Sequence, residues 1–465
     1  MRELHFLTIS ELSDLIKSRA ISPVELAKAQ LNRISTYDQS LRSYTYVMAD
    51  TAIAEARLAE AEIQAGNYRG PLHGVPLAVK DLFWTKDAPT SAGMTIHSDF
   101  VAAHDATAVR RLRKAGAIIL GKLAMTEGAY SDYHPSATPP VNPWNPDYWP
   151  GISSSGAGIA LAAGLCHGAL ASDTGGSIRW PAAANGVTGL KPTWGRVSRY
   201  GALELAASLD HVGTMGRSAI DCGLMLEAIA GPDPRDATAL HSGFAFERSA
   251  ELKGVQIGID GAWNADGVDA EIQRIIADAI DVFRALGATI VDVKVPPVED
   301  AIADWPLNCA VEAAVAHHKT YPSRRDEYGP VLASVIDTGL GLSGIEYQEI
   351  LLRRMALRGE FDALFTKVDL LLSPVHPFTP LTLATIATLG DQPQLISGLQ
   401  RFTCPFDMTG GPTITLPGGF SQTGLPIGLQ LSGAHLSEAL LVRAGAAYQD
   451  ETRWHQRHPA GYDGD

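Results

Sequence analysis

Three stretches of this sequence hold residue types that could do chemistry together. Ser172-Asp173-Thr174-Gly175-Gly176-Ser177-Ile178-Arg179 has the composition of a backbone nest, because adjacent glycines let successive N–H groups turn toward one anion. Donors of that kind would stabilise the oxyanion of a tetrahedral acyl-transfer intermediate, with the Ser177 hydroxyl as the attacking group. Gly151-Ile152-Ser153-Ser154-Ser155-Gly156 concentrates further hydroxyls just before a helical run. A hydroxyl nucleophile needs a base, and Lys80 closes the apolar run 75–79, where partial desolvation would lower its pKa. Bringing a lysine to neutrality costs on the order of 4 kcal/mol of differential solvation, so a specific hydrogen-bonded site must support it. The same residues admit a plainer reading, in which the two loops are helix starts with capping serines and the lysine snorkels at a strand end.

These residues must be held by the elements around them. The first 65 residues read as helices, with Ser10 opening one run and Ser22, Pro23 and Glu25 forming a cap, a first-turn proline and an acidic first turn. Short apolar runs follow at 75–79, 117–120, 168–171, 255–259 and 368–372, and amphipathic stretches at 102–115 and 269–286 read as helices between them. This alternation predicts an α/β fold: a single large α/β/α domain over 1–465, with a mixed, mostly parallel twisted sheet covered by helices on both faces. Within it, 1–65 is a helical N-terminal segment and 75–215 is the core that carries the chemistry. Residues 134–158 hold six prolines, but Trp144, Tyr148 and Trp149 favour a packed loop over a solvent-exposed spacer.

Several function classes drop out. With 37 Lys and Arg against 51 Asp and Glu, net charge −14, and no basic stripe, nucleic acid is not expected as a partner. Residues 116–122, GAIILGK, approach a phosphate-binding loop, but Leu123 stands where Ser or Thr must ligate magnesium. There is no G-x-S-x-G turn and no HExxH pair. Cys166, Cys222, Cys309 and Cys404 are too scattered for a zinc site or a disulfide framework. The start of the chain lacks a secretory apolar core, and the longest apolar stretch, 157–171, is too short to span a bilayer. The expectation is a cytoplasmic protein with no membrane association, no metal and no cofactor.

Lys80, the PGISSSG run at 150–156 and the SDTGGSIRWPA run at 172–182 together resemble the amidase signature family. Residues 189–201 (GLKPTWGRVSRYG), 208–213 (SLDHVG) and 424–431 (GLPIGLQL) extend the likeness over nearly the whole chain. The resemblance implies a Ser-Ser-Lys triad with Ser177 as the acylated nucleophile, Ser153 as the bridging serine and Lys80 as the base. Thr174, Gly175 and Gly176, with Ser177, would supply oxyanion-hole N–H groups, and Asp173 and Arg179 would support the loop. In the family the bridging serine follows a cis peptide and usually a glycine. Here Ile152 takes the glycine's place, and the bond before Ser153 is still expected to be cis.

The implied reaction is hydrolysis of a carboxamide C–N bond through an acyl-enzyme. By the same resemblance Ala129, Tyr130 and Tyr133 line the acyl side of the pocket; Ser154 is a further candidate substrate-binding residue, and the aromatic Trp144 and Trp180 would add apolar walls. Each could equally be plain core. The aromatic set favours an uncharged, hydrophobic or aryl amide, and a carbamate with the same triad stays open. The other alternative is the glutaminase subunit of a tRNA-dependent amidotransferase, similar over 172–213. Against it, 339–364 reads like stand-alone amidases, and residues 402–407 offer no acid but Asp407 to hold the ammonium of glutamine. With Lys80, Ser153 and Ser177 all present, a catalytically dead binding protein is disfavoured. The partner is a small-molecule amide or carbamate, and a homodimer is left open.

Overall fold

The computed structural model describes residues 3–247 and 251–463. Its framework is one eleven-stranded sheet. In chain order the strands are β1 (Tyr44–Val47), β2 (Pro76–Lys80), β3 (Ile118–Leu123), β4 (Gly168–Asp173), β5 (Thr188–Lys191), β6 (His211–Gly216), β7 (Gln256–Ile259), β8 (Thr289–Asp292), β9 (Leu370–Pro374), β10 (Thr413–Phe420) and β11 (Pro426–Gly433). Across the sheet they run β1-β3-β2-β4-β6-β5-β10-β11-β9-β7-β8.

All five apolar runs singled out from the sequence are strands, β2, β3, β4, β7 and β9. They are the strands that pair in parallel, β3-β2-β4 on one wing and β9-β7 (with β8) on the other. Parallel strands are covered on both faces by their crossover helices, so they read as continuous apolar segments. The helices that link them are Thr107–Lys114 between β2 and β3 and Ala270–Ala285 between β7 and β8.

The expected α/β domain with a mixed sheet is present, but the balance of pairing differs from a mostly parallel sheet. Six pairings are antiparallel and four parallel. The centre, β4-β6-β5-β10-β11-β9, is antiparallel throughout. Its strands are rich in Gly and Thr and carry polar residues inward, as in HVGTMG and TITLPGGF, so hydrophobic periodicity did not announce them. The N-terminal segment is helical as expected, except that β1 interrupts it. Ser22 caps the helix Pro23–Leu41 by accepting from the Val24 and Glu25 amides, whereas the preceding helix starts one residue before Ser10 and is capped by Thr8.

The proline-rich segment is a packed loop that leads into the helix Ser155–Ala162. Trp149 is buried and the Trp144 indole donates to the Asn185 carbonyl at 2.9 Å, so Trp144 anchors the loop to the fold. Among the described residues no helix is long and apolar enough to cross a membrane.

Candidate active site

The site forms where β2 and β4, parallel neighbours, end together. Their register pairs Ala78 with Ala169 and Val79 with Leu170, so Lys80, at the end of its strand, comes level with Ala171, one residue before Ser172. Parallel strands expose their carboxyl ends and following loops to one crevice, which is where α/β sheets place ligands. The Lys80 side chain is fully buried, with Nζ 2.7 Å from Ser153 Oγ and 2.9 Å from Ser172 Oγ. Burial brings its pKa down from 10.5 to about 7, against the opposing pull of the Asp173 and Asp210 carboxylates.

The two serine loops are stitched to each other. The Ser154 amide donates to the Ser177 carbonyl at 3.3 Å, and the Ser154 hydroxyl donates to the Ser172 carbonyl at 3.2 Å. The peptide bond between Ile152 and Ser153 is cis. Ser177 is 6% exposed, and among the described residues its hydroxyl makes no hydrogen bond. Thus Lys80 and Ser153 are joined directly, while Ser177 is held beside them through the backbone of the neighbouring loop. Catalytic hydrogen bonds often close only when substrate is bound.

Asp173 explains how the 173–179 loop folds. Its carboxylate accepts from the Gly176 and Ile178 amides at 2.7 and 2.9 Å, more weakly from the Arg179 amide, and from Arg179 Nε and Nη2 at 3.0 and 2.9 Å. Although burial pushes Asp173 upward, the Arg179 guanidinium and these donors hold it well below the usual carboxylate range. Arg179 in turn donates to the Thr403 carbonyl, Gln430 and Asp407, which ties the loop to β11 and to the helix Cys404–Met408. Asp173 and Arg179 therefore support the loop from behind. One sequence expectation needs correcting: the Gly176 amide is taken by Asp173 and is not free for an oxyanion. Among the described residues, the amides of Thr174, Gly175 and Ser177 are left without a protein partner.

The glycines are there for close approach. Gly176 has φ +140°, and a Cβ on it would lie 2.5 Å from the Trp180 ring. A Cβ on Gly175 would lie 2.5 Å from the Trp305 ring. Two indoles thus flank the loop. Tyr130 stands beside Trp305, with ring planes 8° apart and centroids separated by 6.1 Å. Ala129, at φ +63°, lines a water-sized cavity with Ser172, Asp210 and His211. The Tyr133 hydroxyl donates to Ser155 at 2.6 Å, and Tyr133 lines a cavity of about 520 Å³ that neither Ser153 nor Ser177 borders.

Sequence reasoning assigned no role to Ser172, Asp210 or Trp305. Ser172 and Asp210 lie inside the family motifs, and the signal for Ser172 was a hydroxyl ending an apolar strand next to the strand of Lys80. Thr174 Oγ1 donates to Asp210 at 2.7 Å, and burial pushes Asp210 up to about 7. Trp305 sits on the helix Glu299–Ala316, far along the chain, with nothing local to mark it.

Comparison with known proteins gives the lineage. The model of the Amidase family matches residues 25–442. The chain belongs to the amidase signature family. It is 47% identical over 457 residues to a Mycobacterium tuberculosis protein named provisionally as the amidase AmiD, covering 97% of this chain and 96% of that one. It is 39% identical over 485 residues to a glutamyl-tRNA(Gln) amidotransferase subunit of Moorella thermoacetica, covering 98% and 99%. The crystal structure of a bacterial aryl acylamidase of the amidase signature family superposes with a TM-score of 0.87 at 25% identity, covering 97% of this chain and 98% of that one. This family member is accordingly an amidase, a hydrolase of amide C–N bonds.

Proposed function

We propose that this amidase cleaves a small, uncharged, hydrophobic or aryl carboxamide through Lys80, Ser153 and Ser177. The observation that carries the reading is a fully buried lysine, brought to about pKa 7, with its Nζ 2.7 Å from the Ser153 hydroxyl. A neutral amine there can accept the Ser153 proton as Ser153 takes the proton of Ser177. The Ser177 oxygen adds to the substrate carbonyl, and the negative oxygen settles on the amides of Gly175 and Ser177. The same relay run backwards protonates the leaving amine as the C–N bond breaks. Water, deprotonated along the same path, then attacks the ester and releases the acid. As written, the reaction needs no metal or cofactor.

The apolar surroundings of the loop favour an aryl or alkyl acyl group. Trp180 packs with Trp149 and Leu399 on one side, and Trp305 with Tyr130 on the other. A hydrophobic slot of this kind distinguishes poorly between an amide and a carbamate, since the two differ only by an oxygen next to the acyl carbon.

The likeness to the glutamyl-tRNA(Gln) amidotransferase subunit supports glutaminase action as a second reading. What weighs against it is Asp407, the acid of residues 402–407. It is fully buried and paired with Arg179, so it is not available to a substrate ammonium.

A panel of aryl amides, aliphatic amides, carbamates, esters and glutamine tests the reading, with Ser177→Ala as control. The expected result is turnover of apolar amides that Ser177→Ala abolishes, a loss on the order of 10⁴-fold or more in kcat. Retention of activity by Ser177→Ala would refute the assignment. Turnover of glutamine alone, dependent on an added partner protein, would favour the second reading.

A further inference from the structure

Trp305 contributes to this site from outside every motif of the sequence. Its indole N–H donates to the Thr174 carbonyl at 2.7 Å. The Thr174–Gly175 peptide is trans, so its C=O and N–H lie in one plane and point in opposite directions. A bond that fixes the carbonyl therefore fixes the direction of the Gly175 N–H. Asp173 does not occupy that amide, as it does those of Gly176 and Ile178.

The plane needs outside help. Successive glycines leave the backbone with many accessible conformations, and no side chain at 175 or 176 restrains it. The restraint arrives from three directions. The indole lies against Gly175, close enough that a Cβ would come within 2.5 Å of its ring. Tyr130 runs parallel to that indole. The Thr174 hydroxyl is tied to Asp210, which also accepts from the Leu205 and Ala206 amides. The helix that carries Trp305 is itself anchored next door, where Asp304 accepts two bonds of 2.7 Å from Arg353 on the helix Gly344–Leu364.

We infer that Trp305 is a positioning residue of the oxyanion hole: its indole N–H, bonded to the Thr174 carbonyl, aims the Gly175 amide at the oxygen of the carbonyl under attack. The inference rests on the reading of Ser177 as nucleophile given above. A preorganised donor costs no reorientation when charge develops, whereas a loosely held one must be ordered in the transition state. Loss of the restraint therefore acts on the chemical step and spares ground-state binding.

Trp305→Phe keeps a ring against Gly175 and removes the donor. On an amide whose hydrolysis depends on Ser177, kcat normalised by active-site titration is expected to fall about tenfold, less than the ~10²–10³ of deleting an oxyanion donor outright. KM should stay within about twofold. An aldehyde inhibitor, which forms a tetrahedral adduct, should lose affinity by the same factor, while the carboxylate product binds as before. General loosening of the fold would not separate those two ligands. Should Trp305→Phe fail to fold, replacement of Trp305 by benzothienylalanine, which puts sulfur in place of the N–H at nearly constant shape, gives the same readouts. Unchanged kcat and unchanged aldehyde affinity, or a loss confined to KM, overturns the inference. Inactivity of the unsubstituted protein toward every amide would instead remove the functional reading, and this inference with it.

Discussion

Replacing Lys80 with methionine should stabilise the protein while abolishing its activity, and the gain should depend on pH in a defined way. Folding moves the Lys80 ammonium from water into a fully buried position, where its pKa falls from 10.5 to about 7. That shift corresponds to about 5 kcal/mol at ~1.4 kcal/mol per unit. The sign follows from where the proton sits. Below about pH 7 both the folded and unfolded chains hold it, and the whole cost of burying the charge weighs on the fold. Between about 7 and 10.5 only the unfolded chain holds it, so stability rises with pH by ~1.4 kcal/mol per unit. Above that range neither state is charged and the cost is gone. Methionine carries no charge at any pH and occupies a similar volume. Lys80→Met should therefore be more stable than the unsubstituted protein at pH 6 by up to about 5 kcal/mol, less the hydrogen bonds lost to Ser153 and Ser172, about 1 kcal/mol each. The difference should shrink steadily as the pH is raised toward 10. Urea unfolding of both proteins at unit steps from pH 6 to 10 measures it. A stability difference that does not change with pH would mean that the folded protein does not shift the Lys80 proton, and the proposed base would lose its basis. In the unsubstituted protein kcat/KM should rise up to tenfold per pH unit below about 7 and level off above it.

Two further substitutions probe the surroundings. Ser172→Ala removes one of the two hydroxyls that accept from the Lys80 ammonium, so the charged form loses support and the inflection of kcat/KM should move below about pH 7, with kcat reduced about tenfold; an inflection that stays in place would show that Ser172 does not touch the working lysine. Asp173→Asn leaves Arg179 without its bidentate partner and turns one acceptor atom into a donor facing N–H groups, which should cost about 3–5 kcal/mol at neutral pH. Because the native carboxylate is held well below its ordinary pKa, its contribution is present above about pH 4 and is lost as the pH falls further, so the two proteins should converge in strong acid. Thermal unfolding at pH 7 and pH 3 reads both, and a loss under about 1 kcal/mol at pH 7 would contradict the view of Asp173 as the centre of the loop.

Features whose physics is local could be read from the amino acids alone. A strand buried on both faces has to be a continuous apolar run, so β2, β3, β4, β7 and β9 were legible, as was the lysine at the end of one of them. Thr-Gly-Gly-Ser declares a backbone that must turn where no side chain fits, and the indoles against Gly175 and Gly176 supply the reason. Other features depend on how distant segments pack. Antiparallel central strands such as β6 and β10 hold Gly, Thr and a buried His in place of an apolar pattern, because their neighbours and not their own periodicity bury them. Which glycine amide stays free depends on where the Asp173 carboxylate lies, and the Gly176 amide proved to be taken. Ser172 acquires its place beside Lys80 from the register of two strands about ninety residues apart in sequence. Trp305 meets Thr174 across 131 residues of chain. Such contacts arise from how helices and strands pack, and no window of sequence short enough to show a pattern contains both partners.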